Sequence, residues 1–257
     1  MSGLQRSIQR HVFVAVIALA FSLLFWWTRL DWDPEMRLWR AVGDASLMLL
    51  YLTLMFGPMV RLQPRLRRLN TWRREFGIWF ALLATIHTVL ILVGWIRWDL
   101  LKLVGLEFVP QLERYARTEP GFGLANIVGV VALLWSLVLM ATSSDLAIRR
   151  LGGSSWKWLH GAANTVFYLV ALHTAYFLFI HFEQTFHREP PPLNWFRLPF
   201  LILTVVLMVL QFLAFRVESR RGQRKNDDSD PDTSPVPQTQ HDLVIRFGLP
   251  RPTEELN

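Results

Sequence analysis

At 257 residues the chain has room for one or two soluble domains, but 52% apolar residues and twelve tryptophans point to a polytopic membrane protein. Its formal charge of +7 falls in short basic blocks between apolar runs, the pattern that orients a membrane protein rather than a face for nucleic acid. There is no cysteine, which excludes disulfides, thiolate-bound zinc, iron–sulfur clusters and covalent c-type haem attachment and turns attention to histidine as a ligand.

A basic head with Arg6 and Arg10 precedes the apolar run 11–28. Ala18-Leu19-Ala20 resembles a signal-peptide cleavage site, yet the apolar stretch continues to Trp27 and reads as an uncleaved first span. Residues 29–44 mix acids with arginines and lead to a second run, 45–60, with Pro58 near its exit. The most basic loop follows, with six arginines from Arg61 to Arg74, and then the third run, 76–96. Residues 97–121 include LLKLVGLEFV, too short and too charged to span, which is expected to lie along the membrane surface or form a plain loop. The fourth run is 122–142, the fifth 156–181 and the sixth 195–215, with a proline-rich turn at 190–192 between the last two.

The expected fold is therefore all-α, a bundle of six transmembrane helices. The head 1–10 precedes a membrane domain, 11–215, and a basic juxtamembrane segment with a disordered tail, 216–257, follows it. The head, the second-to-third and fourth-to-fifth loops and the juxtamembrane segment carry sixteen Lys and Arg, against nine in the opposite segments. Both termini are thus expected in the cytoplasm of a multi-pass protein in the bacterial inner (plasma) membrane. Tryptophans 26, 27, 72, 95, 98, 156, 158 and 195 lie at run ends, as an interfacial belt requires. No internal repeat is visible.

An ionisable side chain within a span is costly and marks a site by default. His87 lies in the third run, and His160 and His173 in the fifth. His87 is thirteen residues after Arg74, and His173 thirteen after His160. Each interval is about 20 Å of helix in a hydrocarbon core about 30 Å thick, so His87 and His173 are expected at matching depth. Two neutral imidazoles facing across a bundle can ligate a haem iron from both sides. At the inner level His160 faces Arg74, a half-site whose arginine suits haem propionates or a flavin phosphate. On an ideal helix His160 and His173 would be about 140° apart, which argues against a shared face.

Six spans, a histidine midway along the third and two histidines thirteen apart on the fifth resemble the ferric-reductase-like transmembrane domain, and within it the MsrQ/YedZ branch of haem-binding membrane subunits of the methionine-sulfoxide reductase system. The resemblance covers roughly residues 47–182 and rests on RREFGIWFALLATIH, ATSSDLAIRRLGGSSWKWLH and the histidine pair. It implies haem b, one or two, with His87 and His173 on one iron and His160 at an inner haem. It also implies a role for Arg73 and Arg74 beside a cytoplasmic flavin, FMN, or another donor. Gly161 follows His160 where that branch usually has a basic residue, and RTEPGFG replaces its Lys-Arg-Pro-Tyr run.

Only about forty polar residues follow the sixth run, so no flavin and nicotinamide module is expected there, and the chain reads as an electron-transfer subunit rather than a self-contained oxidoreductase. The implied partners are a cytoplasmic flavin reductase or membrane quinol as donor, and a periplasmic reductase of the molybdenum-dependent methionine sulfoxide type as acceptor. Alternatives are a ferric-chelate reductase of the same superfamily and a proton-coupled transporter without haem, built on His87, His173 and Asn164. Against the transporter stand the lack of an inverted repeat and of any carboxylate within a span.

Overall fold

The computed structural model describes residues 3–117, 121–181 and 194–229, among which six helical stretches are long and apolar enough to cross a membrane. Span 1 is α1 (Gly3–Trp27) and span 2 is α2 (Pro34–Leu62). Span 3 passes from a 3-10 segment, Pro64–Trp72, through α3 (Arg73–Leu90) into a π-helical turn, Ile91–Ile96. A short α4 (Leu100–Leu103) and a hairpin of β1 (Leu106–Val109) and β2 (Arg114–Arg117) precede span 4, α5 (Phe122–Ala141). After α6 (Asp145–Leu151), span 5 comprises α7 (Gly153–Gly161), α8 (Ala163–Ala175) and a second π-helical turn, Tyr176–Ile180. Span 6 lies within α9 (Arg197–Ser229). The chain is a multi-pass, essentially all-helical membrane protein.

Three expectations are corrected. Span 2 starts at Pro34 rather than 45, because Asp33 caps the helix by accepting from the N–H groups of Glu35 and Met36 while Pro34 sits in the first turn, where no N–H is needed. The added turns carry Arg37, Arg40 and Asp44, so a carboxylate does lie within a span. Hydropathy misses this because the charge is met internally by Arg29, which follows α1. The stretch 97–121 is not a plain loop. Asp99 caps α4, and β1 pairs antiparallel with β2, Phe108 opposite Tyr115 with ring centroids 5.5 Å apart. Its turn runs through Pro110–Leu112 and closes on Glu113 at φ 47°, without the Asn-Gly or Asp-Gly that announces a hairpin in sequence.

Third, the fifth run is not one ideal helix. Ala162, at φ −66° and ψ −5°, separates α7 from α8 two residues after His160.

Side chains from five spans form the core: Val14 and Phe25, Ala45, Leu49 and Tyr51, Phe76 and Phe80, Phe167, and Leu207. Leu19, Leu23, Leu201 and Val205 on the same helices are exposed, as lipid-facing positions are. Among lipids, close packing and interhelical hydrogen bonds hold spans together. Here the Tyr51 hydroxyl lies 2.7 Å from Thr204 Oγ1, and Ser46 Oγ donates to the Phe80 carbonyl at 3.2 Å. Residues 1–214 form one compact unit and 215–257 a second, whose described residues are helical and basic at Arg216, Arg220 and Arg221. Helix continues to Ser229, into the segment expected to be disordered. The remaining tail with HDLVIRF, the prolines 190–192, His187 and His241 lie outside the described residues.

Candidate functional site

His87 is on α3 and His173 on α8, and they are held in the same way. His87 Nδ1 lies 2.8 Å from the Trp39 carbonyl of α2, and His173 Nδ1 lies 2.8 Å from the Ala125 carbonyl of α5. A carbonyl oxygen only accepts, so Nδ1 carries the proton on both rings and Nε2 keeps its lone pair. Four residues beyond each carbonyl is a glycine packed under the ring. A Cβ at Gly43 would stand 2.9 Å from His87 Nδ1, and one at Gly129 would stand 2.6 Å from His173 Nδ1. Both histidines are half-buried and within electrostatic range of each other.

This matching exposes a repeat that the sequence hides. Each histidine is 48 residues beyond its carbonyl, and Trp39, Gly43 and His87 reappear 86 residues later as Ala125, Gly129 and His173. The π-helical turns follow the histidines at the same offset to within a residue. Helices α2 and α3 and helices α5 and α8 are thus two copies of one hairpin. Because spans alternate in direction, both copies cross in the same sense, unlike the inverted repeat of a transporter. Little identity survives beyond Val-Gly at 42–43 and 128–129 and His-Thr at 87–88 and 173–174, and apolar residues elsewhere are interchangeable to a helix in lipid.

The remaining candidates gather where α3 begins. At the 86-residue offset Arg74 corresponds to His160, and the charges of Arg73 and Arg74 act on His160. His160 Nε2 lies 3.1 Å from Thr142 Oγ1, and its ring stacks on Trp156 at 4.2 Å. Arg73 donates from Nε to the Thr53 carbonyl at 3.2 Å and lies against Gly57. Arg74 reaches across to Asp145 at 2.6 Å. By hydrogen bond and by charge, its guanidinium holds the Asp145 carboxyl below the usual carboxylate range.

Asn164 does not join the histidines: its side-chain oxygen accepts from Gln211 at 3.1 Å on an exposed face, and it lies nine residues before His173, about 13 Å along the helix. No group of three or more His, Asp or Glu able to hold a metal ion occurs among the described residues. Sequence reasoning missed the carbonyl anchors, both glycine cradles and the buried Arg29–Asp44 pair. The equal spacing of Val-Gly and His-Thr was the available signal.

The fold and its paired imidazoles define a polytopic membrane protein built from a duplicated helical hairpin. The chain belongs to the ferric reductase like transmembrane component family, which matches residues 42–171. It is similar to the protein-methionine-sulfoxide reductase haem-binding subunit MsrQ of Azospira oryzae, at 28% identity over 91% of this chain and 89% of that protein. The MsrQ of Bordetella pertussis is 32% identical over 63% of this chain and 72% of its own length, and that of Pectobacterium atrosepticum 28% identical over 72% and 79%.

Proposed function

We propose that the chain is a haem-carrying electron-transfer subunit of the bacterial inner membrane, in which His87 and His173 would hold the iron of a b-type haem. The observation that carries this reading is the matched pair of carbonyl-anchored imidazoles over glycine cradles, one per repeat. Both Nε2 atoms retain lone pairs, the orientation is fixed through Nδ1, and the missing Cβ atoms leave the rings free to seat: this donor set fits a haem iron. Bound there, the haem supplies a one-electron iron couple, and the protein supplies ligation, position and field. Relatives named as haem-binding subunits, matching across most of the chain, support the same cofactor.

The chain's own residues then divide the work by level. His87 and His173 would hold the iron between two imidazoles, a donor set suited to electron transfer. His160, with Arg73 and Arg74 beside it, faces the donor side. Its imidazole, now at Thr142 Oγ1, would hold a second haem, and the guanidinium groups would suit propionates or the phosphate of FMN. The Lys and Arg bias puts this level and both termini in the cytoplasm. Electrons arrive from a flavin reductase, bound FMN or membrane quinol, and leave outward to a periplasmic methionine sulfoxide reductase of the molybdenum-dependent type.

The test is the absorption spectrum, oxidised and dithionite-reduced, of the detergent-purified chain beside His87→Ala and His173→Ala. The expected result is a low-spin b-type spectrum lost in both variants. A folded wild-type protein that stays colourless when expressed with ample haem overturns the reading.

A further inference from the structure

Helix α5 is the shortest of the six spans. Its 20 residues reach about 30 Å, the full thickness of a hydrocarbon core, so the whole helix is needed to cross. Phe122 therefore marks the edge of the core, and Asn126, four residues on, lies about 6 Å deeper. Asn126 is buried and donates to the Leu103 carbonyl at 2.9 Å, and a Cβ at Gly123 would run into the Val104 carbonyl. These two contacts fix the end of α4 at the level of the first two turns of α5, where headgroups give way to acyl chains. A loop standing clear of the membrane could not reach Asn126.

The turn that leads into α4 is held as closely. The Trp98 N–H donates to the Leu92 carbonyl and the Asp99 N–H to the Ile96 carbonyl, each at 3.1 Å. Arg97 and Trp98 take left-handed φ values of 52° and 63°, which residues with a Cβ rarely adopt. The chain thus leaves the π-helical end of span 3 by a tight turn rather than a straight exit. What the turn presents is apolar: Trp98 and Leu100 are each 65% exposed, with Leu101 and Val104 exposed beside them. Single exposed apolar residues are ordinary, but four within seven make a patch. Charge across 97–117 is nearly balanced, four basic residues against three acidic, and Lys102 already meets Glu107 at 3.9 Å. A protein partner matched by charge has little to hold here, whereas a lipid boundary meets an apolar face.

We propose that residues 97–104 form an interfacial anchor, seated in the leaflet opposite the termini with Trp98, Leu100, Leu101 and Val104 against phospholipid. An indole suits that boundary, its ring apolar and its N–H still hydrated, and the leucines gain by leaving water. Because the attraction is apolar, the anchor takes zwitterionic and anionic phospholipid alike. Through Asn126 it is joined to α5 at the residue after Ala125, whose carbonyl holds His173 Nδ1, so lipid braces the helix that orients this histidine. The anchor holds whether or not a haem is bound.

The chain has no cysteine, so Leu100→Cys and Leu101→Cys each give a unique site for a nitroxide label on the full chain in phosphatidylcholine vesicles. Leu134→Cys, 59% exposed within α5, is the lipid reference, and free label in buffer the aqueous one. Power saturation with dissolved oxygen and with a water-soluble nickel chelate reads the depth. The labels at 100 and 101 are expected to favour oxygen over nickel several-fold more than free label does, at a shallower depth than 134. Adding phosphatidylglycerol is expected to change neither. Nickel access equal to that of free label overturns the proposal and makes the patch a surface for a protein partner. A label that neither reagent reaches overturns it too, since the protein itself then covers the patch, as does an oxygen preference that appears only with phosphatidylglycerol. The two positions are read separately, so misfolding of one variant leaves the other to decide.

Discussion

At Gly129 a methyl group would meet His173 Nδ1 at 2.6 Å, and at Gly43 it would meet His87 Nδ1 at 2.9 Å. Neither approach is relieved by a flexible side-chain end, because each ring is pinned by its carbonyl. Forcing one methyl into such a contact costs about 1–3 kcal/mol, and the ring moves off its anchor before the helices part. Gly129→Ala and Gly43→Ala are thus expected to lower haem content per folded protein, Gly129→Ala more severely. Gly161→Ala is the control, since a Cβ there meets nothing within 4 Å. The ratio of Soret to protein absorbance after purification reads the outcome. Equal haem content in all three variants would mean that the glycines only pack helices.

Helix α6 shows what an element owes to one surface contact. Ser144 caps it by accepting from the Ala147 N–H, Asp145 lies in its first turn, and Arg149 and Arg150 lie in its last. Arg74 then fastens Asp145 to the start of α3. The folded carboxyl has a lowered pKa, so the contact contributes above the carboxylate's unfolded pKa of about 3.9 and is lost as pH falls through the lower folded value. Because Asp145 is exposed, the effect is small and screened by salt. Amide hydrogen exchange in α6 is expected to quicken as pH falls through that range, after correction for intrinsic rates, and Asp145→Asn should show the quickened exchange at neutral pH. The six spans were legible in the sequence as apolar runs of membrane length. The break at Ala162 and the hairpin 106–117 were not, because both depend on backbone turns without characteristic residues. Nor was the start of span 2, since hydropathy scores Arg40 and Asp44 singly and cannot see that Arg29 meets the charge.

Across the whole bundle, the duplication explains the centre and the departures from it explain the rest. Two copies of one hairpin crossing in the same sense put a carbonyl-anchored, glycine-backed histidine at the like position of each. At the other level the copies have diverged to Arg74 and His160, which is why only one level holds two imidazoles. Spans 1 and 6 lie outside the repeat, and a buried polar clasp joins them to it: Arg29 after α1, Asp44 on α2 and Asn194 before α9. Removing one partner of a buried pair leaves a lone charge and costs about 3–5 kcal/mol, whereas replacing both with apolar groups is often neutral or stabilising. Asp44→Ala is therefore expected to lower the thermal midpoint of the purified chain sharply, and Arg29→Met with Asp44→Leu to recover most of that loss. If the double variant is as unstable as the single one, the pair is holding the spans in register through its geometry, and its charge has no separate part in stability.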